Sequence, residues 1–169
     1  SVSGEASADT RPADSAEEPR SVVINYRLVS PGYFHLLEVD LIHGRGFTES
    51  EGAPEAGVAV VSESAARKLW PGGDALGQVL RLQSRALTVV GVARDVSGGL
   101  MQLFSFSGVY LPVSLQDPGT ELLLRVRGDP GQARLVLLDR PTQVDPALDH
   151  EVHTLRTVAG MGAYILQIA

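Results

Sequence analysis

Apolar and polar positions begin to alternate at Ser21. In SVVINYRLV, Val22, Ile24, Tyr26 and Leu28 fall on one side and Val23, Asn25 and Arg27 on the other, the period of two that predicts a strand. Upstream, SVSGEASADTRPADSAEEPR has almost nothing to bury, so residues 1–20 are expected to be a flexible linker. After the strand, Ser30 is suited to an N-cap and Pro31 to a first helical position. Tyr33 meets Leu36 and Leu37 at helical spacing, so the short helix has one apolar side. Val39 and Leu41 resume a period of two. Gly44 and Gly46 then bend the chain, leaving Phe47 to plug a core edge. Thr48-Glu49-Ser50-Glu51 carries a capping-box pattern with room for one turn.

The next unit is GVAVVSESAARKLWPGG. Val58 and Val60 predict a buried strand, and Ser62 a cap on a helix through Ala65, Ala66, Leu69 and Trp70 that Pro71-Gly72-Gly73 ends. Beyond the turn DALG, VLRLQ and ALTVVGVARDV predict an antiparallel hairpin over Ser84-Arg85. Gly91 inside its second strand marks a bulge or a close backbone approach. LMQLFSFS is apolar with little polar relief. It reads as a buried strand, or as a loop presenting Met101, Phe104 and Phe106 to a partner or lipid surface. VYLPV predicts a strand cut short by Pro112, and ELLLRVRG another. Asp129-Pro130 opens a helix whose Leu135 and Leu138 face the sheet, and Pro141 ends it. A weak strand is expected near His150 to Leu155. The apolar end AGMGAYILQIA reads as the first turns of a helix.

The resulting class is α+β: short mixed or antiparallel sheets with short helices. Its 169 residues suit one domain or two small subdomains with a shared core. Aromatic residues are only 5%, so that core must rest on Val, Leu, Ile and Ala. The 14 basic against 20 acidic residues, net charge -6, argue against nucleic acid as a partner, which needs a concentrated positive surface. Lys68 is the only lysine, a bias of Ala-, Gly- and Arg-rich composition and not of an arginine-based site. Without cysteine there is no disulfide, thiolate metal site or thiol nucleophile. The polar, acidic start is no signal peptide, and no apolar run is long enough to span a bilayer.

Candidate chemistry is sparse. His150 and His153 have the spacing of two ligands on a helix face, but the segment reads as strand or loop, where two surface histidines explain it better. His35 and His43 lack a local serine or carboxylate partner, and no Gly-x-Ser-x-Gly elbow anchors a triad. PGGDALG lacks the Lys-Ser/Thr end of a phosphate loop. The carboxylate pairs Glu49/Glu51 and Asp145/Asp149 lie in polar loops where solvation accounts for them. No cofactor and no catalytic or metal-binding residue is expected.

Five motifs in order resemble the extracytoplasmic domain of MacB/FtsX-type ABC transporter permeases, closest to the group with a duplicated permease unit. They are the Ser-Pro-Gly-Tyr-Phe helix (Ser30, Pro31, Gly32, Tyr33, Phe34), the Gly-Arg-x-Phe turn (Gly44, Arg45, Gly46, Phe47), the Val-Val-Ser/Asn-Glu step from Val60 to Glu63, the Leu76-Gly77 turn and the Val-Val-Gly-Val strand around Gly91. The match covers roughly residues 21–130 and thins beyond Pro130.

The resemblance implies a porter-like β-α-β part joined to a smaller strand-rich lobe. Residues 21–113 would form the lobe and its entry. Residues 114–169 would return to the porter-like part and approach a membrane helix from Ala159 onward, in a chain that begins inside the family's first half. It implies motif residues that cap, turn and pack. The implied partners are the permease's transmembrane helices, a cytoplasmic ATPase subunit or domain, and a second permease protomer or periplasmic partner. The implied place is the extracytoplasmic face of the bacterial inner membrane. A contact surface would fall on Leu100, Met101, Leu103, Phe104 and Phe106. Two other classes compete: a free-standing soluble or lipid-anchored binding module, and a small hydrolase using His35 or His43 with a distant serine.

Overall fold

The structure is a computed structural model that describes residues 3–10, 20–52, 56–95, 106–113, 121–125, 132, 135, 150–156 and 162–168. The chain divides into two units, residues 2–96 with 105–116, and residues 1, 97–104 and 117–169.

The first unit holds seven strands: β1 (Ser3–Thr10), β2 (Arg20–Val29), β3 (Leu41–Gly44), β4 (Val58–Ser62), β5 (Val79–Leu82), β6 (Arg85–Ala93) and β7 (Gly108–Pro112). Helix α1 (Tyr33–Leu36) precedes β3, and α2 (Glu63–Leu69) follows β4 without a break. The sheet runs β3-β6-β4-β7-β2-β1-β5, and β5 pairs again with β6. Six strands therefore close into a ring, with β3 attached outside it to the second half of β6. The pairs β2–β7 and β4–β6 are parallel and the others antiparallel, as expected for α+β with mixed sheets. The ladder slips between Ala59 and Val60, where β4 passes from Val89 to Gly91 of β6, the irregularity that Gly91 signalled.

The inner face is filled by alternate residues of every strand of the ring: Ala6 and Ala8, Ile24, Ala59 and Val61, Leu80 and Leu82, Leu87 and Val89, Val109 and Leu111. Ala65, Leu69 and Trp70 of α2 and its C-cap join this core. On β2 the alternation is as read from the sequence. Ile24 is buried while Val23, in the opposite phase, is 73% exposed.

Residues 3–10 correct the expectation of a linker across 1–20. They pair along their whole length with β2, and Ala8 to Thr10 pair also with β5. Residues 11–19 lie outside the described residues. The signal was present but weak. Ala6, Ala8 and Thr10 point inward while Glu5 and Ser7 are exposed, a period of two written in small side chains. Two alanine methyls contribute only about 1–2 kcal/mol, so β1 is held mostly by its ladders. Composition measures how much a segment can bury; a strand paired on both edges needs little.

The second unit contains an antiparallel sheet with β10 (Gly162–Ile168) between β8 (Glu121–Arg125) and β9 (His150–Arg156). The strands foreseen at 121 and 150 are present. The end is not the start of a helix. Gly160 and Gly162 punctuate it, and Tyr164, Ile165 and Ile168 favour a strand. Leu135 is 59% exposed and so does not face a sheet. Leu138 lies outside the described residues.

Candidate functional site

The family motifs, dispersed along the chain, meet around β6, β7 and α1. Ser30 does not cap α1. Its carbonyl accepts the Tyr33 N–H at 3.0 Å, so Ser-Pro-Gly forms a turn and Gly32 is the N-cap, without a side-chain bond. Proline's fixed φ suits such a turn as well as a first helical position. The helix closes as a Schellman motif: Val39 N–H bonds the Phe34 carbonyl at 2.8 Å and Glu38 N–H that of His35 at 3.3 Å. Glu38 takes the left-handed position, φ 53. This closure drives Tyr33 and Phe34 inward. Phe34 lies edge-on to Tyr110 at 5.1 Å and 6.0 Å from Phe47, while Tyr110 meets Phe106 at 4.9 Å. Arg27 lies over the Phe106 ring at 4.6 Å and donates to the Tyr33 hydroxyl at 3.1 Å. Burial raises the Tyr110 pKa above the usual phenol value.

The glycines of two motifs face each other. Gly44 pairs with Gly91, and Arg45 N–H bonds the Val90 carbonyl at 2.9 Å. A Cβ on Gly44, φ 69, would collide with the Val90 carbonyl oxygen, and one on Gly91 with that of Arg45. Leu76 Cδ1 covers Gly44, and Gly77 N–H bonds the Val89 carbonyl at 2.8 Å. Arg45 makes a two-pronged ion pair with Glu51, both contacts 2.8 Å. The same carboxylate accepts the Thr48 N–H at 2.9 Å and its hydroxyl at 3.0 Å, realising the expected one-turn cap. Hydrogen bonding from Arg45, then from Thr48, lowers the Glu51 pKa to about 2.

The third cluster surrounds the Val-Val-Ser-Glu step. Ser62, 0% exposed, accepts the Ala65 N–H at 3.2 Å as N-cap of α2 and the Gly108 N–H of β7 at 3.0 Å. Glu63 pairs with Arg67 one turn on, and Arg67 reaches Asp95 at 3.3 Å. Ser64 bonds Asp95 through its N–H and hydroxyl, and meets the Ser107 hydroxyl at 2.6 Å.

The hydroxyls of Ser62, Ser64 and Ser107 and the Asp95 carboxylate are hydrogen-bonded within this cluster. His35 and His43 are both exposed, and no group of three or more His, Asp or Glu suited to a metal occurs among the described residues. His150 and His153 lie in a strand, so their spacing loses the meaning it would have on a helix. A shallow groove of about 270 Å³ is lined by Gly4, Glu5, Asn25, Arg27 and Phe106. Phe106 leaves the expected contact surface because it is 7% exposed and part of the aromatic cluster. Leu100, Met101, Leu103 and Phe104 lie outside the described residues. The sequence reading missed Arg27, Ser64, Asp95, Ser107 and Tyr110, whose partners are far along the chain. Only the strand period at Arg27 and Tyr110 hinted at their placement.

The family described as MacB-like periplasmic core domain matches residues 1–149. YknZ of Bacillus subtilis, described as an uncharacterized ABC transporter permease, is 25% identical over 99 residues, 59% of this chain. The chain spans only 24% of that relative's length. The periplasmic region of MacB from Actinobacillus actinomycetemcomitans matches with a TM-score of 0.61 at 19% identity, covering 85% of this chain and 64% of that one. A permease-protein domain from Porphyromonas gingivalis gives 0.51 at 18% identity, covering 99% and 76%. The last two matches show a shared fold.

Proposed function

Since the chain belongs to the MacB-like periplasmic core domain family, we propose that it is a non-catalytic extracytoplasmic domain that relays ATP-driven movement of permease helices to a substrate or partner. The family match over residues 1–149 carries this reading. The arrangement of the motifs supports it, because their residues turn, cap and pack and their polar groups are occupied by one another. A relay of this kind needs stiff units and two arrangements of the whole, not a reactive centre. Its partners would be the permease's own transmembrane helices, a cytoplasmic ATPase, and a second protomer or periplasmic partner. Residues 114–169 would be the limb returning to a porter-like part. The change of unit at Asp117 favours that boundary. Leu100, Met101, Leu103 and Phe104 are the proposed contact residues.

No helix among the described residues is long and apolar enough to cross a membrane. The test is to read the gene outward from both ends. Spans of about twenty apolar residues on each side are expected. Stop codons or polar sequence on both sides would sink the reading. Within a permease, replacing Met101 and Phe104 with Ser should impair transport and leave the chain folded.

A further inference from the structure

The first unit is interrupted once. The chain leaves it after Val96, contributes residues 97–104 to the second unit, and returns at Ser105. The last described residue before this excursion is Asp95, and the first after it are Phe106 and Ser107. Both stems converge on Ser64 in the first turn of α2. Its hydroxyl is 3.0 Å from Asp95 Oδ1 on the outgoing stem and 2.6 Å from Ser107 Oγ on the returning stem.

Counting donors and acceptors orders the network. A hydroxyl has one proton and two lone pairs. The lone pairs of Ser62 Oγ take the N–H groups of Ala65 and Gly108, so its proton is left for Ser64 Oγ, 3.2 Å away. A carboxylate only accepts, so the Ser64 proton goes to Asp95 and Ser107 donates to Ser64. Every position on both hydroxyls is then filled, and the bonds reinforce one another. Ser64 N–H adds a second bond to Asp95 at 3.1 Å, and Arg67 adds a charge contact. On the returning stem, Phe106 is fixed independently by Arg27 and Tyr110.

We propose that the first turn of α2 is a clamp that holds the two stems of the excursion together, with Ser64 as its positioning residue. The clamp ties Asp95 and Ser107 to α2 and, through Ser62, to β4 and β7. The use of that stiffness in transport rests on the permease reading. The clamp does not, since all its residues lie within the first unit.

Amide hydrogen exchange on the whole chain tests it. Ser64→Ala should speed exchange at Asp95, Ser107 and Gly108 by tenfold or more while leaving Leu80, Leu82 and Val89 unchanged. Ser64→Thr, which keeps the hydroxyl, should restore protection. If Ser64→Ala does not fold, Ser107→Ala cuts the returning stem alone and should release Ser107 without Asp95. Unchanged exchange at the stems, or acceleration spread evenly over the ring, would overturn the clamp in either variant. Flanking sequence without membrane spans would remove the proposed function and leave the exchange result standing.

Discussion

Ser62→Ala tests whether one buried hydroxyl joins helix, strand and returning chain. The substitution removes two acceptor contacts at once. Loss of a serine N-cap costs about 1 kcal/mol. The Gly108 N–H, which Ser62 accepts inside a site with no exposure, is left without its partner and adds about 1–3 kcal/mol. The expected loss is about 2–4 kcal/mol. Trp70, the only tryptophan, lies in the inner core and ends α2, so its fluorescence follows the first unit alone. With a urea slope of roughly 2 kcal/mol per molar, the midpoint should fall by about 1–2 M. Ser62→Gly separates the two contributions. Glycine is a tolerable N-cap, within a few tenths of a kcal/mol, but offers Gly108 no acceptor, so about 1–3 kcal/mol of the loss should remain. A midpoint shift below about 0.25 M in both variants, at unchanged slope, would refute the double role.

Three further outcomes are expected. Gly91→Ala forces a methyl onto the Arg45 carbonyl, a backbone atom that cannot swing away; a loss of about 3 kcal/mol should show as a large fall in melting temperature. The Glu51 pKa is depressed, so its contribution is complete above about pH 4.5 and disappears as pH falls through about 2. The gap corresponds to about 3 kcal/mol unscreened, but Arg45 is half exposed, so about 1 kcal/mol is expected; acid titration of stability should lose that component in Glu51→Gln. Gln83 occupies the tip of the β5–β6 hairpin at φ 56; Gln83→Gly should raise stability by about 1 kcal/mol in the urea titration, as the left-handed position suits glycine.

Strong local patterns were legible. The β2 alternation, the Ser62 cap, the Glu51 turn and the β5–β6 hairpin all depend on residues within a few positions of one another. The α1 start was misplaced because Ser-Pro-Gly serves a turn and a cap equally well. β1 was missed because pairing on two edges replaces side-chain burial, and hydropathy does not see pairing. The family resemblance located the motifs but not their convergence. That Gly44 meets Gly91, or that Ser64 joins Asp95 to Ser107, is a property of the ring, and no local spacing contains it.

The closed ring has a kinetic consequence. One of its seams joins Ala8 to Leu82, a contact between distant parts of the chain, and distant contacts form slowly because a long loop must close first. Until the seam forms, β1 and β5 present raw edges to every other chain in the compartment. The composition of β1, small residues inward with serines and acids outward, is poorly suited to pairing with strangers. The weakness that hid this strand from a hydropathy reading thus also makes its bare edge a poor template for aggregation. A chain begun at Arg20 would keep the other strands yet leave β5 permanently open, and it should precipitate where the longer chain stays in solution.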